Sequence, residues 1–112
     1  MKKGEIWWAS LGELRGSEPG FRRPVVIVSS NEFNDSRINT VLAAVITSSL
    51  HLADAPGNIL LQKKSSKLVK DSVINVSQII TIDKVFLTEK ISKLNPQYLN
   101  ALDAGLELVL GL

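Results

Sequence analysis

The sequence has no cysteine and only one histidine, His51. Without cysteine there is no disulfide, no thiol nucleophile and no thiolate metal site. A lone histidine near a single carboxylate, Asp54, makes a weak metal or catalytic centre, and we interpret it as a solvated loop residue. The P-loop, the dinucleotide fingerprint, the zinc HExxH motif and the nucleophile elbow are also missing. We therefore predict no metal and no cofactor.

Long apolar runs are missing as well. No run approaches the roughly 18 to 20 residues that cross a membrane, and Glu5, Glu13 and Arg15 interrupt the N-terminal segment that would otherwise resemble a signal peptide. The 13 basic and 11 acidic residues leave a net charge of +2, so the chain is not a polyanion binder of the histone type. These absences predict a cytoplasmic protein without membrane contact, in which any nucleic-acid binding depends on local charge.

The length and composition predict a single domain covering residues 1–112. With 45% hydrophobic residues the chain can bury a core. A domain this small gains stability by burying more surface in an oligomer, which favours a homodimer.

Short β-prone segments separated by turn residues dominate the chain. The second of them, "RPVVIVSS", is β-branched almost throughout, which is typical of a strand buried on both faces. The polar 31–37 segment is interpreted as a connection or a single helical turn, Pro56-Gly57 as a turn, and the lysine-rich 63–71 segment as a loop. The predicted strands are 4–10, 23–30, 40–49, 58–62, 72–82 and 88–94.

The C-terminal segment has a helical pattern instead. Asn95 followed by Pro96 predicts an N-cap with proline at the first helical position. Apolar residues recur at helical spacing on one face and polar residues on the other: Leu99, Leu102, Leu106 and Val109 against Asn100, Asp103 and Glu107. The whole pattern predicts a mainly β fold with α, a small antiparallel barrel closed by one amphipathic helix.

Two arginines precede the second strand. Because proline disfavours the helical region for its predecessor, Arg23 before Pro24 is expected in an extended conformation. A guanidinium can hold a phosphate through two parallel hydrogen bonds. An ion pair of Arg22 or Arg23 with Glu13 or Glu18 is the alternative interpretation.

Two further features could serve nucleic-acid binding. The lysines at 63, 64, 67 and 70 form either a solvated loop or a lobe that contacts phosphates. Adjacent residues on a strand point to opposite faces, so one of Trp7 and Trp8 belongs to the core. The other is available for an interface or for stacking on a base.

Several motifs occur in one order along the chain: G-E-I-W at the start, G-S-E-x-G-x-x-R-P-V, the I-T that ends the third predicted strand, and S-Q-x-x-T-I-D-K. In these motifs and in its terminal "LDAGLELVLGL" the sequence resembles the MazF/PemK family of toxin endoribonucleases, and the resemblance extends over nearly the whole chain. The MazF branch is the more similar one.

The resemblance implies an SH3-like barrel with added helices, a homodimer, and metal-independent, sequence-specific cleavage of single-stranded mRNA that leaves a 2′,3′-cyclic phosphate and a 5′-hydroxyl. It also implies a toxin of a type II toxin–antitoxin system, restrained by a MazE-like antitoxin. The functional arginine and threonine of the MazF branch correspond to Arg23 and Thr47. The histidine, arginine and aspartate of the PemK/Kid branch correspond to Ser17, Asn75 and Ser77, so the acid and base of that branch cannot be transferred.

From this resemblance we hypothesise that the RNA 2′-hydroxyl attacks the adjacent phosphate, while Arg23 and Thr47 stabilise the charge on its oxygens. The general base is left open, since Glu18 could be the base or an ion-pair partner of Arg23. The residues expected to contact RNA are Ser17, Glu18, Arg22, Ser48, Ser77 and Gln78. Two alternatives remain, a gyrase poison of the CcdB type that uses the C-terminal helix and a non-catalytic nucleic-acid-binding barrel.

Overall fold

The computed structural model describes residues 1–11 and 22–112. Its strands are β1 (Glu5–Ser10), β2 (Arg22–Ile27), β3 (Thr40–Thr47), β4 (Ile59–Leu61), β5 (Ser72–Asp83) and β6 (Leu87–Lys93). Its α-helices are α1 (Asn31–Asn34), α2 (Lys63–Ser66) and α3 (Pro96–Leu110), and short 3-10 helices cover Leu50–Asp54 and Lys84–Phe86. All six predicted strands are present with shifted ends, and α1 is the predicted single helical turn.

In the part of the chain that the structure describes, the strands form one curled antiparallel sheet in the order β4-β5-β3-β2-β1-β6. This confirms the small antiparallel β fold with a C-terminal helix. The prediction of a loop over 63–71 was wrong for its first four residues, which form α2. The turn of helix lies against β6, where the Ser92 hydroxyl donates to the Ser66 carbonyl at 2.5 Å. This turn of helix follows β4, the strand at one edge of the sheet. Its contact with Ser92 therefore connects it to β6, the strand at the other edge.

The sheet buries apolar side chains on both faces, as predicted for β2. Val26 belongs to one cluster with Ile6 and Ile74, while Val25 and Ile27 belong to a second cluster on the opposite face. All three β2 residues are fully buried. Because neighbouring side chains of a strand alternate between faces, a continuous β-branched run is what a doubly covered strand requires.

Helix α3 covers the first of these clusters. Its predicted cap is confirmed, since the Asn95 side chain accepts a hydrogen bond from Tyr98 N at 2.9 Å and Pro96 occupies the first turn. Leu102 and Leu106 are buried, but Val109 is 38% exposed, so the predicted apolar stripe ends one turn early. None of the helices within residues 1–11 and 22–112 is long and apolar enough to cross a membrane.

Strand β5 carries an irregularity where it passes β3. The ladder goes from the pair Ala44–Ile79 directly to the pair Val45–Asn75. The residues between, Val76 to Gln78, therefore have no counterpart in β3. Such surplus residues bend a strand and redirect its side chains.

Candidate functional site

The register of β2 and β3 brings the two predicted catalytic residues together. Val25 pairs with Val45 and Val26 with Ala44, and the same register continued by two residues places Arg23 opposite Thr47. The two side chains therefore belong to one end of the sheet.

Arg23 and Thr47 line a common cavity of about 310 Å³. Its other lining residues come from β1, β2, the end of β3 and the turn after it, the segment after α2, and the start of β5: Trp8, Pro24, Ile46, Ser48, Ser49, Leu68, Val69, Lys70 and Ser72. We call this the Arg23–Thr47 cavity. The described residues that line this cavity include two cations, several hydroxyl groups and several apolar side chains. None of these residues carries a carboxylate.

The end of β3 presents hydroxyl groups to this cavity. The Thr47 hydroxyl oxygen accepts a hydrogen bond from Ser49 N at 3.2 Å, which fixes the turn that follows the strand. Ser48 is exposed within that turn. Thr47 still has its hydroxyl proton to donate, because the contact with Ser49 uses the oxygen as an acceptor. The structure thus brings the predicted Ser48 to the same cavity as Arg23 and Thr47.

Arg22 is placed differently from its neighbour. Its guanidinium carbon lies 4.5 Å from the centroid of the Trp8 ring, and its Nη2 lies 3.6 Å from Glu89 Oε2. Glu89 pairs with Trp8 in the ladder between β6 and β1. An ion pair was the alternative predicted for Arg22, but its partner, Glu89, was missed because only the strand register brings β6 beside β1.

Gln78 lies at a second cavity, of about 730 Å³, which it shares with Arg23, Val45 and Ile80. Arg23 therefore borders both cavities. Ser77 lines neither of them, and its exposed hydroxyl donates to Asn75 Oδ1 at 2.9 Å. The structure brings Gln78, but not Ser77, into the neighbourhood of Arg23.

Asn58 holds the irregular part of β5 in place. Its Oδ1 accepts from Val76 N at 2.9 Å, and its Nδ2 donates to Leu52 O at 2.9 Å and to Asn75 Oδ1 at 3.3 Å. Asn75 and Ser77 are thus hydrogen-bonded to each other within this network. No sequence pattern marks Asn58 beyond its place after the Pro56-Gly57 turn.

Three of the four clustered lysines separate onto different surfaces. Lys70 lines the Arg23–Thr47 cavity, Lys64 a groove between β4 and α3, and Lys67 a groove along β6. Ser17 and Glu18, together with Glu13, lie outside the described residues.

Among the described residues, Glu5 on β1 has a pKa that is displaced from its ordinary value. Burial acts to raise the pKa of Glu5, but the backbone N–H of Lys2, the Lys90 ammonium and the Trp7 indole all donate to its carboxylate. These hydrogen bonds, with the Lys90 charge, outweigh burial and hold the pKa of Glu5 below its ordinary value.

Comparison with known proteins places this geometry in a family. Residues 2–110 match the family of PemK-like, MazF-like toxins of type II toxin–antitoxin systems. The chain belongs to this PemK/MazF toxin family. Family members similar to it over all 112 residues include endoribonuclease MazF6 of Mycobacterium tuberculosis, 43% identical over 98% of that protein. Endoribonuclease MazF of Staphylococcus epidermidis is 38% identical over 92% of its length.

Solved structures of PemK/MazF toxins share the fold. A mycobacterial endoribonuclease in complex with its cognate antitoxin superposes with a TM-score of 0.81 at 21% identity, covering 100% of this chain and 96% of that one. The Mycobacterium tuberculosis toxin MazF-mt6 gives a TM-score of 0.78 at 20% identity, covering 96% of this chain and 97% of that one. These neighbours confirm the fold predicted from the sequence.

Proposed function

We propose that this PemK/MazF-family toxin is an endoribonuclease that cleaves single-stranded mRNA at short specific sequences in the cytoplasm. The observation that carries the proposal is the placement of Arg23 and Thr47 at facing strand ends on one cavity. Relatives at 38% and 43% identity are named endoribonucleases, which supports the same activity for this chain.

The proposed reaction is an internal transesterification. The 2′-oxygen of the nucleotide before the cut forms a bond to its own 3′-phosphorus, and the bond from phosphorus to the 5′-oxygen of the next nucleotide breaks. The 2′-hydroxyl proton leaves to a base, and the departing 5′-oxygen gains a proton. A 2′,3′-cyclic phosphate and a 5′-hydroxyl result. Because the substrate supplies the nucleophile, the reaction needs no protein nucleophile and no metal.

Arg23 and Thr47 act on the phosphate in this scheme. Negative charge accumulates on the non-bridging oxygens as the 2′-oxygen approaches, and preorganised donors at that position lower the barrier. The Arg23 guanidinium provides the charge and a planar pair of donors, and the Thr47 hydroxyl provides a further donor. Arginine holds its proton too firmly to act as the base.

Specificity is proposed to come from unstacked bases contacted by loops and polar side chains. Ser48 and Gln78 border the cavities that Arg23 lines, so they can reach the nucleotides beside the cut. Ser77, Ser17 and Glu18 are retained as proposed contacts from the sequence alone.

The test is cleavage of defined single-stranded RNAs by purified protein in EDTA, with the end groups of the products identified. Discrete cuts with cyclic phosphate and 5′-hydroxyl ends support the proposal. Binding without cleavage would indicate the non-catalytic barrel. Inhibition of gyrase without RNA cleavage would indicate the gyrase poison.

Three variants assign the activity to this site. Arg23→Lys keeps the charge but loses the planar fork, and we expect a fall in kcat of about 100-fold or more. Thr47→Val should also lower kcat, while Thr47→Ser, which keeps the hydroxyl, should retain most of it. Full activity of Arg23→Lys and Thr47→Val would remove both residues from the mechanism.

We further propose that the toxin is a homodimer inhibited by a MazE-like antitoxin. Exposed apolar side chains at the end of α3 (Leu108, Leu110, Leu112) suit an interface, and so does Val69 at the rim of the Arg23–Thr47 cavity. Sedimentation measures the oligomeric state. Competition between antitoxin and a non-cleavable RNA tests whether the antitoxin covers the active site.

A further inference from the structure

The Arg23–Thr47 cavity is lined by two chemically different sets of residues. Arg23 and Lys70, with the hydroxyl groups of Thr47 and Ser48, suit a phosphate, whereas Trp8, Pro24 and Leu68 present apolar surface. Its volume of about 310 Å³ lies at the lower end of the range of about 300–1,000 Å³ for ligand sites. A site of this size, lined both by phosphate-binding groups and by an aromatic side chain, suits a single nucleotide.

Trp8 is held in position by its neighbours on both sides. It lies across from Pro24 on β2 and from Glu89 on β6. The ion pair between Arg22 and Glu89 joins the strands on either side of β1, and the Arg22 guanidinium lies over the indole. An exposed ion pair of this kind contributes little to stability, but here it fixes the cation over the ring.

We infer that Trp8 forms the base-stacking wall of a one-nucleotide subsite, and that Arg22 supports the indole from one face while an RNA base stacks on the other. The inference rests on the proposed RNA cleavage and specifies its substrate contact. The stacked base belongs to one of the two nucleotides that share the phosphate at Arg23 and Thr47. Arg22 then acts as a positioning residue, and its contact is with Trp8 rather than with a flanking phosphate.

The first test compares matched tryptophan variants. Trp8→Leu should raise the KM for an oligonucleotide with a mapped cut site by between about 5- and 100-fold, as expected for one stacked base. Trp7→Leu makes the same chemical change at a tryptophan that lines neither cavity and packs against the second core cluster, and it should leave KM within about two-fold. Thermal unfolding of both variants checks that they are folded at the assay temperature. An unchanged KM in Trp8→Leu would overturn the inference.

The second test alters the RNA instead of the protein. An abasic nucleotide on one side of the cut should weaken binding of a 2′-deoxy, non-cleavable oligonucleotide to the wild-type protein, and should cause no further loss in Trp8→Leu. Independent, additive losses would show that the base does not stack on Trp8. This experiment measures binding without cleavage. If the wild-type protein binds RNA but does not cut it, the proposed activity is refuted, and the stacking of a base on Trp8 can still be tested.

The third test separates the two roles of Arg22. Arg22→Ala should raise KM less than Trp8→Leu does, and its effect should disappear in the Trp8→Leu background. The salt dependence of RNA binding should keep its slope. A slope reduced by about 0.7, the value for one lost phosphate contact on a single strand, would make Arg22 a phosphate ligand.

Weakened antitoxin binding with unchanged RNA binding in Trp8→Leu would overturn the inference, because it would assign the Trp8 indole to the protein partner.

Discussion

A Cβ atom on Gly105 of α3 would lie 2.3 Å from the carbonyl oxygen of Gly57 in the turn before β4. The neighbour is backbone, so it cannot move aside as a side chain could. The helix therefore rests directly on this turn, and the turn leads to Asn58, which holds the irregular part of β5. The packing of α3 and the placement of Gln78 are linked through these few residues.

Gly105→Ala should destabilise the protein by about 2 kcal/mol or more, as expected for overpacking against a rigid neighbour. A loss of stability would be informative, because intrinsic helix propensity alone favours alanine over glycine by about 1 kcal/mol and would raise the stability. Urea unfolding measures the change. Gly111→Ala is the control, since a Cβ there meets nothing within 4 Å and only its φ of +72° opposes the substitution. Equal stability of Gly105→Ala and wild type would contradict the close contact.

Asn58→Ala should cost about 1–3 kcal/mol of unfolding free energy, because it removes the acceptor for the N–H of the buried Val76. It should also raise the KM for RNA, since the neighbouring Gln78 loses its fixed position. Asn100→Ala, on the exposed side of α3, should change stability by less than about 0.5 kcal/mol. If the Asn58 variant is less stable but its KM for RNA is unchanged, the hydrogen bonds of Asn58 do not contribute to substrate binding.

Lys70→Ala should weaken RNA binding and reduce the salt-dependence slope by about 0.7, because Lys70 lines the Arg23–Thr47 cavity. Lys64→Ala removes the same charge from a groove between β4 and α3 and should leave the slope unchanged. Fluorescence anisotropy at several salt concentrations provides both values. Equal effects of the two variants would show that only the net charge matters.

Glu5→Gln should lower the thermal midpoint at pH 7, and this effect should shrink as the pH falls below the unfolded pKa of about 4.3. The pKa of Glu5 is held below its ordinary value in the folded protein, so its contribution to stability is present above the unfolded pKa of about 4.3 and is lost as the pH falls through the folded value. Thermal unfolding across this range gives the gap between variant and wild type. Lys90→Gln should show a weaker form of the same dependence, because it removes one donor to the carboxylate. A difference in thermal midpoint between Glu5→Gln and wild type that does not change with pH would contradict the lowered pKa of Glu5.

Local chemistry explains which parts of the fold the sequence predicts well. The Asn95 cap, the strands and the turn of helix at Asn31–Asn34 follow from neighbouring residues and are found in the structure. Helix α2 was missed because part of its support, the hydrogen bond from Ser92 to the Ser66 carbonyl, comes from β6, far along the chain. Val109 was assigned to the core because spacing alone does not show where the sheet beneath the helix ends.

In the candidate site, too, some residues could be predicted from the sequence and others could not. The family resemblance predicted roles for Arg23 and Thr47, and the β2–β3 register gives a physical reason that both line one cavity. The contacts of Arg22 with Trp8 and Glu89 depend on three adjacent strands, so no local pattern could predict them. The same holds for Asn58, which reaches across from the turn before β4 to β5.

Two of the three surplus residues of β5 lie where substitutions should cost the fold little stability. Ser77 and Gln78 are exposed and have no counterpart in β3, so replacing them removes no rung of that ladder and no side chain from the core. The buried residues on either side keep their own register. We expect that, as such sequences diverge, substitutions here alter which RNA is recognised while the rest of the sheet is inherited unchanged.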